Sequence, residues 1–168
     1  DEYRRLDPKH NPLFEHASLQ LWLAMDGDRP VGRIAAIDDR LHNEVHRERT
    51  MWFGFFEARD AEVAARLLST VEAAAARAGH SVVRGPVNAS LHEAAGLLVE
   101  GFDDPPTVMM SYNPPTYPGF IEAAGYVKAK DLYSWLVDVK TAGSGRMARI
   151  AERVRRRLKV HVRGVGMS

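Results

Sequence analysis

The sequence predicts an α/β fold, a mixed and mostly antiparallel sheet flanked by helices. Three observations carry that expectation. Leu19, Leu21, Leu23 and Met25 alternate with Gln20, Trp22 and Ala24 up to an Asp26-Gly27 turn, the pattern of a hairpin. An aromatic run, Thr50 to Glu57, leads directly into the clearest amphipathic stretch of the chain. Short apolar runs then alternate with helical patterns to residue 137, as in sheets joined by helical crossovers.

In chain order, the polar stretch to about Ala17, broken by Asp7-Pro8 and Asn11-Pro12, reads as an irregular lead-in. Leu19–Met25 forms the first strand and Val31–Ile37 the return strand. The charged residues 39–49 suit a short exposed helix, and Thr50–Glu57 a strand apolar enough for the middle of a sheet. Asp60 caps the long helix, whose Val63, Leu67, Val71, Ala74 and Ala78 share one face, and Gly79 stops it. Ser81–Arg84 is a short strand ending at Gly85-Pro86. Residues 87–106 form a loop-rich region with a helical turn near Leu91–Leu98, and Thr107–Tyr112 reads as a strand. Pro114-Pro115 introduces a helix over Thr116–Ala124, ended by Gly125, and Val127–Val137 reads as a long final strand.

Thr141–Gly145 has linker composition. Beyond it, Met147, Ile150, Ala151, Val154 and Leu158 make one apolar stripe among arginines, and Lys159–Arg163 reads as a new strand. The organisation expected is one domain over residues 1–139, then a linker, a basic amphipathic helix and the start of a second domain over 140–168.

Charge marks the same boundary. Residues 140–168 hold nine Lys or Arg against one acid, a net +8, which leaves −7 for residues 1–139 out of a total of +1. The 168 residues contain no cysteine, so thiolate chemistry and cysteine-ligated metals are excluded within them. The longest strongly apolar run, Met51–Phe56, is far shorter than the roughly 20 residues of a membrane span. The expected setting is cytoplasmic, with no membrane partner. The missing initiator Met suggests a fragment or a processed chain. The basic tail lacks interleaved aromatics to stack on bases, so nucleic acid is not the expected partner.

The candidate chemistry lies where the aromatic strand meets the long helix. A helix N-terminus behind a strand offers free N–H groups and a positive dipole end to an anion. Here the junction is Glu57-Ala58-Arg59-Asp60-Ala61-Glu62-Val63-Ala64, where Arg59 favours an anion and Asp60 and Glu62 oppose one. An acid-capped helix is the competing reading. Glu57, at the strand end, has the chemistry of a general base. Tyr112 and Tyr117, around Asn113-Pro114-Pro115-Thr116, have that of proton donors, or equally pack a loop against the sheet. His42 and His46 stand four apart but lack the Glu that follows the first His in a zinc-binding helix, so no metal is expected. Ser90 and His92 lack an assignable acid and make no triad.

Several runs are similar to the GNAT superfamily of acyl-CoA-dependent N-acyltransferases, within a bacterial branch carrying two GNAT-like halves. They are Val31-Gly32-Arg33-Ile34-Ala35-Ala36, Phe53-Gly54-Phe55-Phe56-Glu57, Arg84-Gly85-Pro86-Val87-Asn88, Glu100-Gly101-Phe102-Asp103, Met109 to Pro115 and Asp131-Leu132-Tyr133-Ser134-Trp135. The chain resembles most of the N-terminal half, without its first strand and helices. The resemblance implies acetyl-CoA or another acyl-CoA as co-substrate and a small-molecule or peptide amine as acceptor. It also implies a second GNAT-like half or another copy of the chain as partner. Carried over, Glu57 matches the general base. Arg59 and Ala64 match the ends of the pyrophosphate signature, with Ala61 between them and Asn88 at the neighbouring strand exit. Glu62 stands where that signature has its first glycine, and Ile121 where the family often has its acid tyrosine. The reading is therefore an N-acyltransferase lobe, or alternatively a degenerate, non-catalytic lobe serving packing or partner binding.

Overall fold

The hairpin dominates the fold because Gly27, at φ +58°, takes the left-handed turn position that Asp26-Gly27 prefers. In a computed structural model, which describes residues 2–138 and 145–158, strand β1 (Ala17–Asp26) pairs antiparallel with β2 (Arg29–Asp39). Strand β3 (Thr50–Ala58) pairs antiparallel with β2, and β4 (Val82–Arg84) lies parallel to β3, giving the order β1-β2-β3-β4. The fold is the expected mixed α/β arrangement, its sheet mostly antiparallel. Before it lie a short helix α1 (Glu2–Arg5) and a 3-10 turn (Pro12–Glu15), so the lead-in is more ordered than its prolines suggest. Helix α2 (Arg40–His46) follows β2, with Asp39 as its cap.

Helix α3 (Ala61–Arg77) crosses from β3 to β4 over one face of the sheet. It buries Val63, Ala64, Leu67, Leu68 and Val71 against Ile34, Ala36, Met51, Phe53 and Phe56. Gly32 permits the close approach, since a Cβ there would stand 2.7 Å from Val63 Cγ1. A second, smaller core lies around Ala35, Ile37, Trp52, Val87 and Ala89. There a two-stranded ribbon, β5 (Val87–Asn88) with β6 (Ala94–Ala95), passes so close to β3 that a Cβ on Gly54 would overlap the Val87 carbonyl oxygen. Helix α4 (Tyr117–Ala123) packs on α3 and ends at Gly125, φ +92°.

Two expected strands do not form among the described residues. Thr107–Tyr112 forms turns, with the Met110 amide donating to the Thr107 carbonyl, and Val127–Val137 has no strand among the described residues. Both segments have strand composition, but composition alone does not make a ladder. The sheet's last strand, β4, has three residues before Gly85-Pro86 turns the chain away, so it offers Thr107–Tyr112 no edge of matching length. The helical turn near Leu91–Leu98 is likewise replaced by β6, which pairs through the ladders Val87–Ala95 and Asn88–Ala94.

The chain divides into two compact units, Asp1–Ala129 and Lys130–Ser168. Within the second, α5 (Arg146–Leu158) exposes Met147, Ile150, Val154 and Leu158, and Glu152 pairs with Arg155 and Arg156. Thr141–Ser144 of the linker and the strand expected at Lys159–Arg163 lie outside the described residues. No described helix is long and apolar enough to cross a membrane.

Candidate functional site at the open seam of the sheet

Strands β3 and β4 flank α3 but pair only through Thr50–Val82, Met51–Val83 and Trp52–Arg84. Beyond Trp52 they part, which leaves backbone N–H groups of β3 without a strand partner. In the same stretch β3 bulges: Ala35 faces Gly54 and Arg33 faces Glu57, so Phe55 and Phe56 together oppose Ile34. Phe55 takes φ +48°, a conformation costly for a bulky residue.

Side chains from later in the chain close the orphaned donors. The Phe55 amide donates to Asn88 Oδ1 at 2.8 Å, and the Ala58 amide donates to the Tyr117 hydroxyl at 3.1 Å. An unpaired buried N–H is costly, so these two side chains hold the bulge and the strand end in place. The Tyr117 hydroxyl in turn donates to Glu57 Oε2 at 2.7 Å. Tyr117 is only 5% exposed, its ring edge-on to Phe56 at 5.2 Å. Burial, and then the bond to the Glu57 carboxylate, push its phenol above the ordinary value of 10.0, so it stays protonated at neutral pH. Glu57 is more open, its side chain 55% exposed, and Arg33 Nη2 stands 3.9 Å from its second oxygen.

This pair sits at the floor of a groove of about 390 Å³, lined by Leu23, Pro30, Val31, Arg33, Glu57 and Tyr117 among others. A smaller cleft adjoins it, of about 70 Å³, and brings Glu57, Asn88, Tyr112 and Tyr117 together. Four residues singled out in the sequence, drawn from β3, β5, α4 and the approach to α4, thus meet in one place. Tyr112 is half-exposed and its hydroxyl donates to the Phe102 carbonyl at 3.4 Å. Asn113 fixes the cleft wall: its Oδ1 accepts from the Leu98 amide at 2.7 Å and its Nδ2 donates to the Leu98 and Pro114 carbonyls.

At the start of α3, Asp60 Oδ1 accepts from the Val63 amide at 2.9 Å. Arg59 bonds to Asp60 through Nε and to Asp26 through Nη1, each at 2.9 Å. That amide, and then the guanidinium, hold the Asp60 carboxyl below its ordinary 3.8. Ala64 is fully buried against the sheet, Ala61 opens the helix, and Glu62 reaches out to Arg66. At the helix start Asp60 thus caps the Val63 amide, and Arg59 is held by the chain's own carboxylates.

Elsewhere, His42 and His46 stack at 4.4 Å, and His42 bonds to Glu48, which also takes Thr50 and Arg84. Among the described residues no group of three or more His, Asp or Glu is placed to hold a metal. Ser90 Oγ accepts from the His92 amide at 3.3 Å, a local turn. Sequence reasoning missed Arg33 and Asn113 as site residues. Arg33 had a signal, since it interrupts the apolar alternation of Val31, Ala35 and Ile37. Asn113 had none beyond its place before Pro114.

No protein-family model matches the chain, and no solved structure is detectably similar to it. Two curated proteins are. Over 126 residues, 74% of this chain and 32% of the relative, it is 40% identical to protein YghO of Escherichia coli. The chain spans about a third of the length of these relatives. Over 135 residues, 79% of this chain and 35% of the relative, it is 41% identical to a protein of Caulobacter vibrioides named bacterial ceramide synthase.

Proposed function

We propose that the chain is a lobe of a GNAT-like N-acyltransferase that joins an acyl group, delivered as a coenzyme A thioester, to the nitrogen of an amine. The observation that carries this reading is the Tyr117–Glu57 pair, held at the bulged end of β3 on the floor of a groove. Ceramide is the amide of a long-chain amine, so the name borne by the Caulobacter relative points to the same bond.

In this reading Tyr117 fixes one oxygen of Glu57 and leaves the other facing the groove. That second oxygen accepts the proton of the attacking amine as the C–N bond forms and the C–S bond breaks. Tyr112, in the adjoining cleft, returns a proton to the thiolate. Most of the rate comes from holding amine and thioester in register. The test is amide formation by the full chain, followed by mass spectrometry with acyl-CoA donors and long-chain amines. Glu57→Gln is expected to lower kcat by about 100-fold or more; equal turnover by the variant, or none by either protein, overturns the proposal.

The helix start favours a second reading. With Asp60 on the N-terminal amide and Arg59 shared between two carboxylates, the α3 terminus is closed to a diphosphate. A lobe so built serves packing against a second GNAT-like half or another copy of the chain. Absence of CoA binding by calorimetry, with amide formation absent as well, selects this reading.

A further inference from the structure

Residues 1–139 carry a net charge of −7, yet the groove that holds Glu57 and Tyr117 sets Arg29, Arg33 and Arg59 against that one carboxylate. Arg59 is spent on Asp26 and Asp60. Arg33 is not. Its guanidinium makes no hydrogen bond among the described residues, and Glu57 Oε1 stands 3.9 Å from Nη2, beyond hydrogen-bond reach. That carboxylate oxygen is left over as well, because the Tyr117 hydroxyl holds Oε2. The juxtaposition is built into the backbone, since the β2–β3 register sets Arg33 directly opposite Glu57 on one face of the sheet. Both side chains are about half exposed. An ion pair this long and open stabilises a fold by under about 1 kcal/mol, so stability gives little reason for it.

We propose that Glu57 and Arg33 form a two-point site for a 2-amino acid, in which Glu57 Oε1 takes the amine and the Arg33 fork takes the carboxylate on the adjoining carbon. This rests on the reading of Glu57 proposed above, and it names the class of acceptor. An open carboxylate beside an open guanidinium is the charge complement of an ammonium beside a carboxylate. Binding gives each group a hydrogen-bonded partner that it lacks in the free protein. The short span from Oε1 to Nη2 suits a ligand whose two charges sit on neighbouring atoms of one carbon skeleton. A planar fork can grip a carboxylate through two parallel N–H bonds, which a lysine in its place could not do. The positive lining offsets the acidic body at this spot, so an acceptor that brings its own negative charge is drawn in. Pro30 and Val31 offer its side chain an apolar wall. Arg33 touches the carboxylate and no reacting atom, so it sets which amine is accepted and leaves the acyl-transfer step as it stands.

Binding is read on the full chain by NMR chemical-shift titration with glycine, alanine, serine and leucine. Each is compared with its primary amide, which keeps the amine and removes the negative charge. The acid of at least one pair is expected to bind about 10-fold more tightly than its amide. Arg33→Gln is expected to bring that ratio below about threefold, and Arg33→Lys, which keeps the charge without the fork, to hold an intermediate value. Arg29→Gln removes the same charge from the same groove and is expected to keep the ratio. Both arginines are open to solvent, so the fold tolerates the changes. No binding by any acid, or a ratio near one for every pair, overturns the site. So does an equal fall in both arginine variants, which leaves only a general positive potential. An Arg33→Gln protein that melts earlier but keeps the ratio overturns it too, since Arg33 then serves the strand pair alone. Acid preference that Arg33→Gln removes, with no amide formed from any acyl-CoA, upholds the site while the proposed chemistry falls. Glu57-dependent acylation of simple amines with a ratio near one overturns the site and leaves the chemistry standing.

Discussion

Replacing Tyr117 by Phe removes one oxygen and keeps the ring that packs between Phe56 and Phe120. Two hydrogen bonds disappear with it. The Ala58 amide, which points away from β2 to the side where no strand pairs, becomes an unpaired N–H beside the core, at a cost of about 1–3 kcal/mol. The bond to Glu57 is charge-assisted, but that carboxylate is half in solvent and water replaces the phenol, so its loss adds under about 1 kcal/mol. Together these give about 2–3 kcal/mol, or a fall in Tm of about 10 °C for a unit of this size. Urea unfolding of the full chain measures the free energy directly. Glu57→Gln retains an acceptor for the phenol and is expected to cost under about 1 kcal/mol. A pH series adds an independent check. The folded phenol is raised above 10.0, so its contribution is complete below pH 10 and is lost as pH rises beyond that through the folded value. Tyr117→Phe removes that alkaline component. A change within 0.5 kcal/mol of wild type, with the alkaline loss intact, refutes the assignment of Tyr117 as the cap of β3.

Asn88→Ala leaves the Phe55 amide without its acceptor at a bulge already held at positive φ; a loss of about 1–3 kcal/mol is expected, read by urea unfolding. Tyr126→Phe behaves oppositely. Its hydroxyl is buried and makes no hydrogen bond of ordinary length, although the Glu72 carboxylate lies near enough to add to burial in pushing the phenol well above its ordinary value, so the variant is expected to stay within about 0.5 kcal/mol of wild-type stability. Asp60→Ser keeps a helix cap and takes one carboxylate off Arg59; CoA affinity by calorimetry is expected to rise several-fold if the helix start is what excludes the diphosphate. The Asp60 carboxyl, held below 3.8, supports the start of α3 at higher pH and lets go as pH falls through its lowered value, which hydrogen exchange at Val63 reports.

Much of the scaffold is readable without coordinates because its causes are local. Asp26-Gly27 sets a turn, Asp60 and Gly79 bracket α3, and Gly125 stops α4, each through backbone chemistry confined to a few residues. The site is partly readable for the same reason: Glu57 ends an apolar strand, and Tyr117 follows a Pro-Pro pair. What joins them is not local. The Tyr117–Glu57 bond spans 60 positions and the Asn88–Phe55 bond 33, and both answer a strand separation that no residue pattern announces. The two failed strands make the complementary point. Thr107–Tyr112 and Val127–Val137 carry strand composition, and composition alone does not specify a ladder.

The seam between β3 and β4 gives the sheet a free edge in its interior, guarded by an amide and a phenol where another fold would place a strand. An unguarded edge is a template for pairing with a second chain. Asn88 and Tyr117 therefore have a role beyond stability: each keeps an aromatic-rich strand from recruiting its own kind. Their loss is expected to show first as concentration-dependent association, before the fold itself gives way.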